Sequence, residues 1–210
     1  MRASLIPTTV LSSLLVAAIT CVIAAGPLSA EETKLRGKRV VILVEDQVNE
    51  IEAIYPFLRL QEEGAKVEFA GRGKDSYKGE GGLTVEPVTL NVADLKAADF
   101  DAVIVPGGYA PEQLRRDEHV TSFVRGMFEA GKVVASVCHG PQVLISAKIL
   151  RGKRVTGYGV IKDDVVNAGA QWVDGQPVVR DGNLITSRWP EDMPYFCPAI
   201  IKALSEQTER

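Results

Sequence analysis

The stretch Val133-Val134-Ala135-Ser136-Val137-Cys138-His139-Gly140-Pro141 runs from apolar residues straight into a cysteine, a small residue and a proline. Its first five residues are typical of a strand buried on both faces. Pro141 suits the first turn of a helix, because its missing N–H would be unpaired there anyway. The small residues Ser136 and Gly140 leave room for the backbone to bend. The pattern therefore predicts a sharp strand-to-helix turn with Cys138 at its tip, which is the layout of a nucleophile elbow.

Strands and helices are predicted to alternate around this turn. The apolar segments 39–44, 102–108 and 133–137 predict buried strands, and the amphipathic segments 49–63 and 117–130 predict helices that each end at a glycine. This alternation favours an α/β fold with a mostly parallel central sheet covered by helices on both faces. Ligands of such folds bind at the carboxyl ends of the strands, where Cys138 is expected.

Weaker patterns predict the remaining elements. They are a strand over 66–70, a glycine-rich loop over 71–82, helices over 142–150, 161–168 and 191–204, and short strands over 154–156, 171–173, 177–179 and 183–187.

The first 30 residues differ from the rest of the chain. Arg2 is the only charge before Glu31, and an apolar run over 10–25 is followed by the small-residue end at Ala30. This layout predicts a secretory signal peptide over 1–30, a flexible lead-in over 31–38 and one domain over 39–206. A retained membrane anchor is the alternative, but the run is shorter than the roughly 20 apolar residues that a spanning helix needs. We expect an exported protein, periplasmic or secreted, with no membrane association after cleavage.

The composition excludes several classes of function. The 24 basic and 27 acidic residues give a net charge of −3, so no basic surface is available for nucleic acid. Of the three cysteines, only Cys138 and Cys197 lie beyond residue 30, which is too few for a disulfide framework. The two histidines and these cysteines match no zinc-binding spacing. We therefore predict neither a metal nor a cofactor.

Cys138 is the predicted nucleophile. A sulfur at a helix N-terminus meets unpaired N–H groups, so we expect a lowered thiol pKa. His139 follows the thiol directly and is the candidate base, whereas His119 lies in a charged surface helix. Three carboxylates near strand ends are candidates for orienting the imidazole: Glu45, Asp46 and Glu112.

The Pro106-Gly107-Gly108 turn follows another buried strand. Glycines allow the backbone to approach a reacting carbonyl closely, so the N–H groups of Gly108 and His139 are predicted to form an oxyanion hole.

These residues resemble the ThiJ/PfpI family over nearly all of 37–204. The resemblance rests on the following stretches: Ala53-Ile54-Tyr55-Pro56, Pro106-Gly107-Gly108 with Ala110-Pro111-Glu112, Ala135 to Gln142, Ile161-Lys162-Asp163-Asp164, and Asn167-Ala168-Gly169 with Trp172-Val173. It implies a flavodoxin-like three-layer sandwich that assembles into a homodimer or a hexamer. It also implies a catalytic set of Cys138, His139 and Glu112, with Glu112 supplied by the neighbouring subunit.

One position departs from the family pattern. Members of the family carry a glutamate early in the first helix that hydrogen-bonds the thiol, and counting back from Ile54-Tyr55-Pro56 places Asn49 there. An amide can bond the sulfur but cannot donate a carboxyl proton. Glu50 and Glu52 are expected to point elsewhere.

The resemblance implies a cysteine-dependent hydrolase that acts on peptides, or on small carbonyl compounds and their protein adducts, as a peptidase, deglycase or glyoxalase-like enzyme. The alternative is a non-enzymatic redox sensor or chaperone-like protein that uses Cys138. A glutamine amidotransferase would need a histidine downstream of the elbow, and none follows His139.

Overall fold

The computed structural model describes residues 33–207, which contain eleven strands and six α-helices. The strands are β1 (Arg39–Leu43), β2 (Lys66–Gly71), β3 (Tyr77–Lys78), β4 (Thr84–Val85), β5 (Leu90–Asn91), β6 (Ala102–Val105), β7 (Val133–Val137), β8 (Arg154–Val155), β9 (Gln171–Trp172), β10 (Val178–Asp181) and β11 (Leu184–Ser187). The helices are α1 (Glu50–Glu62), α2 (Ala110–Leu114), α3 (Glu118–Glu129), α4 (Pro141–Ser146), α5 (Lys162–Asn167) and α6 (Met193–Glu206).

Seven strands form one sheet in the order β10-β11-β7-β6-β1-β2-β5. Neighbours are parallel except β10, which pairs antiparallel with β11. Parallel neighbours place their carboxyl ends at one edge, so the segments after β1, β6, β7 and β11 meet there. The predicted flavodoxin-like α/β fold is confirmed.

The middle of the sheet is buried on both faces. Every residue of β6 and β7 is buried, as their continuous apolar sequences predict. Helix α1 packs on α6 and α3 packs on α4, and these pairs cover the sheet. The apolar periodicity of 117–130 predicted helix α3 correctly. Its buried residues recur at helical spacing: Val120, Phe123, Val124 and Met127.

Some predicted segments differ from the structure. The predicted loop 71–82 contains β3, which pairs with β4 as a hairpin. Helix α4 ends at Ser146 instead of residue 150, and the short helix α2 was not predicted. In the predicted flexible lead-in, residues 33–38 pack on the domain, because Leu35 is fully buried and its N–H donates to Glu63 O at 2.8 Å.

The predicted signal peptide lies outside the described residues. Within 33–207, no helix combines the length and apolar character that crossing a membrane requires.

Candidate active site

Cys138 occupies the predicted elbow between β7 and α4. Its φ of 57° lies in the left-handed region, which is rare for residues other than glycine and marks the strained tip of a nucleophile elbow. The turn is held by the Cys138 N–H, which donates to Ser187 O at 3.2 Å, and by the Gly140 N–H, which donates to Val137 O at 2.8 Å. A Cβ at Gly140 would overlap Val105 O, so this position requires glycine.

A buried carboxyl faces the thiol, and it belongs to Glu52, not to Asn49. Glu52 is fully buried, its Oε2 accepts a hydrogen bond from Gly107 N at 2.6 Å, and its carboxyl is within hydrogen-bonding reach of the Cys138 sulfur. Asn49 instead caps α1: its Oδ1 accepts from Glu52 N at 3.2 Å and its Nδ2 donates to Glu80 at 2.7 Å. The predicted contact between Asn49 and the thiol is therefore replaced by one from Glu52.

The spacing in the sequence contained a signal for this arrangement. Asn49 followed three residues later by Glu52 is the spacing of an N-cap and the third helical residue. A side chain that caps the helix is committed to its own backbone, which leaves the thiol to a residue one turn further along. Counting back from Ile54-Tyr55-Pro56 therefore placed the contact three residues too early in the chain.

Burial keeps Glu52 protonated near neutral pH. It raises the pKa of this carboxyl from 4.5 to about 8, against the opposing effect of the hydrogen bond from Gly107. The Oε1 atom is buried and has no hydrogen-bond partner within 33–207, so no hydrogen bond offsets the cost of placing negative charge on that oxygen.

The thiol pKa is raised and not lowered, which corrects the expectation from helix geometry. Burial is the largest cause, and the negative charge of an ionised Glu52 adds to it, so the pKa of Cys138 rises to about 12. The N–H groups of Gly108 and His139 do favour the thiolate, as predicted, but their effect is smaller than that of burial. Cys138 therefore rests as a thiol and needs a base to react.

His139 is placed to be that base. Its Nδ1 lies 3.5 Å from the Cys138 sulfur, and burial lowers the pKa of the imidazole below its usual 6.5, against the effects of Glu80 and Glu112. The ring is therefore neutral at pH 7. Two tyrosines flank it: the ring centroid of Tyr158 lies at 5.0 Å and that of Tyr109 at 6.3 Å.

The two predicted oxyanion N–H groups converge on the same point. Those of Gly108 and His139 both act on the Cys138 sulfur, so they border the position where a carbonyl carbon would bond to it. Gly107 makes this convergence possible. A Cβ on Gly107 would lie 2.5 Å from Cys138 Cβ and 2.9 Å from His139 N. The turn must carry a glycine there to approach the elbow so closely.

Glu112 does not touch His139 within the protomer. It is exposed on α2, and the described part of the chain shows no hydrogen bond or ion pair between the two side chains. It borders a cleft of about 410 Å³ with Tyr109. The other two candidates are engaged elsewhere, since Glu45 pairs with Arg72 at 2.5 Å and Asp46 with Lys74 at 2.5 Å.

The remaining titratable candidates lie away from the elbow. His119 is exposed and contacts Asp117 at 3.1 Å. Cys197 is buried in α6, and burial raises the pKa of its thiol to about 12. Over 33–207, no cluster of three or more histidine, cysteine or acidic side chains is arranged to hold a metal ion.

The fold and the site define a class: flavodoxin-like α/β proteins with a cysteine at the elbow after a central strand, faced by a buried glutamate and followed by histidine. The model of the DJ-1/PfpI family matches residues 38–203. The chain belongs to this family, as its motifs indicated.

Individual relatives and solved structures agree with the family match. A protein named deglycase from Pyrococcus abyssi is 46% identical over 166 residues, which are 79% of this chain and 99% of that protein. A two-domain protein from Anabaena variabilis with DJ-1/ThiJ/PfpI-like and ferritin-like domains is 44% identical with a TM-score of 0.77. That match covers 80% of this chain and about half, 48%, of the two-domain chain. Drosophila melanogaster DJ-1beta is 31% identical with a TM-score of 0.74, over 80% and 90% of the two chains.

The prediction of a signal peptide and a periplasmic location is wrong by this comparison. The Pyrococcus abyssi relative is matched over 99% of its length by 166 residues of this chain, and the family match begins at residue 38. The relatives therefore provide no counterpart for residues 1–30 and no support for export.

Proposed function

We propose that the protein is a cysteine-dependent enzyme that acts on small carbonyl compounds or on their adducts with proteins, as a deglycase or glyoxalase-like enzyme. The observation that carries the proposal is the surroundings of one sulfur atom. Cys138 stands at a strained elbow with a neutral imidazole at 3.5 Å, a protonated carboxyl beside it and two backbone N–H groups aimed at it. The name of the Pyrococcus abyssi relative, deglycase, supports the same class of reaction.

The proton states suit attack on a carbonyl. His139 Nδ1 takes the thiol proton as the sulfur bonds to the carbonyl carbon. The electron pair of the carbonyl π bond moves onto its oxygen, where the N–H groups of Gly108 and His139 stabilise the negative charge. Glu52 then gives its proton to that oxygen. The product is a neutral hemithioacetal, formed either with a free carbonyl compound or with the carbonyl group of a protein adduct. His139 is left with a positive charge and Glu52 with a negative one.

Hydrolysis of peptides would use the same thiol, base and oxyanion N–H groups, so it is a second cysteine-dependent reaction that this arrangement supports. The non-enzymatic sensor was suggested by Asn49 in place of the family glutamate and by an exposed thiol. Glu52 supplies a carboxyl beside the thiol, and Cys138 is only partly exposed. A thiol whose pKa is raised is also a poor target for oxidation, which proceeds through the thiolate.

Replacing the sulfur tests the proposal. Cys138→Ala should lower the rate of methylglyoxal consumption, and the release of methylglyoxal from a treated arginine peptide, by at least about a thousandfold. Cys197→Ala is the matched control, because this buried cysteine lies away from His139 and its loss should leave both rates within about twofold. Equal rates in Cys138→Ala and the parent protein would contradict the proposal.

A further inference from the structure

The site has a charged entrance that the proposed reaction does not use. Glu80 lies in the turn of the β3–β4 hairpin and is exposed. Its carboxylate accepts a hydrogen bond from Asn49 Nδ2 at 2.7 Å, and the N–H of Asn49 donates to Gly107 O at 3.2 Å. A single residue therefore links Glu80 to the glycine turn that faces Cys138.

The position of Glu80 is fixed from both sides. Its own N–H donates to Val48 O at 3.0 Å, and the next N–H, that of Gly81, donates to the buried carboxylate of Glu50 at 3.1 Å. Glu50 also accepts from Leu83 N at 2.9 Å. An exposed glutamate on a free loop would be screened and mobile, whereas this one is anchored by its backbone and its side chain.

The charge of Glu80 acts on every reactive group of the site. It is among the main charge interactions of Cys138, Glu52 and His139. The others on Glu52 and His139 also come from carboxylates, Glu191 and Glu112 respectively.

Three cations near these groups are paired with carboxylates other than Glu80, Glu112 and Glu191. They form three ion pairs, Arg72 with Glu45, Lys74 with Asp46, and Arg188 with Asp192. The entrance to the thiol is therefore negative.

Aromatic rings line the same entrance. Tyr109 and Tyr158 flank His139, and 57% and 38% of their surfaces are exposed. Carboxylates combined with exposed aromatic faces attract organic cations, by Coulomb attraction and by cation–π interaction.

Resting on the function proposed above, we propose that this entrance selects substrates that carry a positive charge near the carbonyl group and disfavours those with a carboxylate, with Glu80 as the specificity-determining residue. Adducts on cationic side chains belong to the favoured class, and free keto or aldehyde acids belong to the disfavoured one. The selection acts on the approach of the substrate. Glu80 also acts on the three reactive groups, which changes the rates for all substrates alike, so the selection is measured as a ratio of rates.

Charged thiol reagents test the entrance without any catalysis. Methanethiosulfonates form a mixed disulfide with a cysteine sulfur and release methanesulfinate, and they exist as a cationic trimethylammonium-ethyl and an anionic sulfonato-ethyl reagent. The rate of each reagent at Cys138 is followed by mass spectrometry of the peptide that contains Cys138. The ratio of cationic to anionic rates should exceed that of a neutral model thiol by about tenfold at low salt, and it should shrink as salt is added.

Glu80→Gln should lower this ratio by about three- to tenfold, because it removes one charge and retains a side chain that can bond Asn49. Glu129→Gln is the matched control, since it makes the same change at an exposed position at the end of α3 and should leave the ratio unaltered. A ratio equal to that of the model thiol, or equal effects of the two variants, would overturn the proposal.

A kinetic comparison separates this inference from the function on which it rests. In Glu80→Gln, kcat/KM for anionic glyoxylate should rise about three- to tenfold relative to that for neutral methylglyoxal. If neither compound is consumed, the proposed function fails while the reagent ratio still decides the nature of the entrance. If both are consumed and their ratio stays fixed in Glu80→Gln, the charge selection is wrong and the enzyme remains.

Discussion

Glu52 and His139 hold complementary proton states around one sulfur atom. Burial acts on both, raising the pKa of the carboxyl to about 8 and lowering that of the imidazole below 6.5. Between these values the acid keeps its proton and the base lacks one, which is the combination that attack on a carbonyl requires. The same burial keeps Cys138 as a thiol. Low polarity around the site thus sets all three groups at once.

This pairing predicts a bell-shaped pH profile. The value of kcat/KM for methylglyoxal should rise as His139 loses its proton at a pH below 6.5, and it should fall as Glu52 loses its proton near pH 8. In Glu52→Gln, which cannot ionise, the maximum should be lower and the fall near pH 8 should disappear. Initial rates from pH 5 to 10 measure both limbs. An alkaline fall that persists in Glu52→Gln would assign that limb to another group.

The raised pKa of Glu52 also predicts how stability depends on pH. Between 4.5 and about 8 the folded protein holds a proton on Glu52 that the unfolded chain has lost, so raising the pH favours unfolding. The contribution of Glu52 to the free energy of unfolding is largest below pH 4.5. Between pH 4.5 and about 8 it declines by about 1.4 kcal/mol per pH unit.

Urea unfolding of the parent protein and Glu52→Gln at pH 5, 6, 7 and 8 isolates this contribution. The free energy of unfolding of Glu52→Gln is subtracted from that of the parent protein at each pH. This subtraction cancels the titration of His139 and of other groups that the variant retains. The difference should decrease steadily as pH rises. A difference that stays constant, or increases with pH, would show that Glu52 is ionised in the folded protein.

Among the individual residues of the site, the sequence predicted those whose role is set by adjacent positions in the chain. Cys138 and His139 follow from the apolar run, the small residues and Pro141, all within nine positions. Glu52 reaches the thiol from the first turn of α1, so its contact depends on tertiary packing and on which residue caps α1. The direction of the thiol pKa was mispredicted for the same reason. The helix N-terminus is visible in the sequence, but the degree of burial is not.

One buried carboxylate supplies two of the hydrogen bonds that hold the β3–β4 hairpin. Glu50 is 5% exposed and accepts from the N–H groups of Gly81 and Leu83, so its loss removes the protein partner of two N–H groups in the turn. In Glu50→Ala, amide hydrogen exchange over 77–85 should accelerate roughly tenfold or more, while exchange in β6 and β7 changes far less. Glu86→Ala, at an exposed position next to β4, serves as the control. Unchanged exchange over 77–85 would mean that other contacts hold the hairpin.

The longer helices and the buried strands were predicted, as were the two-residue strands β8 and β9, but β3, β4, β5 and α2 were not. In 117–130 the apolar periodicity identifies a helix, whereas 133–137 is a continuous apolar run whose shortness and valine content indicate a strand. Strand β3 lies inside the glycine-rich stretch 71–82, so its sequence was predicted as a loop, and β4 follows shortly after that stretch. They form because Glu50 and the loop after β1 supply hydrogen-bond partners from outside the segment. Such partners are a property of the fold and leave no local pattern.

At the scale of the whole molecule, one outer surface suggests self-association. Ile51, Tyr55 and Leu58 recur at helical spacing along α1, and each is at least 40% exposed. Apolar side chains in a stripe of this kind are usually covered by a partner. Members of the DJ-1/PfpI family commonly form oligomers. We therefore expect a homodimer or a hexamer, with Glu112 of one subunit completing the site of its neighbour.

A Glu112 carboxylate supplied by the neighbouring subunit would make assembly part of the chemistry. Within the protomer Glu112 acts on His139 only through its charge, with no hydrogen bond or ion pair between them over 33–207. A carboxylate that orients His139 from the neighbouring subunit predicts complementation between two inactive variants. Cys138→Ala and Glu112→Ala should each be impaired alone, whereas coexpressed subunits should form mixed dimers in which one site has both groups. Random pairing at equal amounts leaves about a quarter of all sites intact, so activity should recover to about that fraction. If Glu112 acted within its own subunit, every site in the mixture would lack one group, and coexpression would restore nothing.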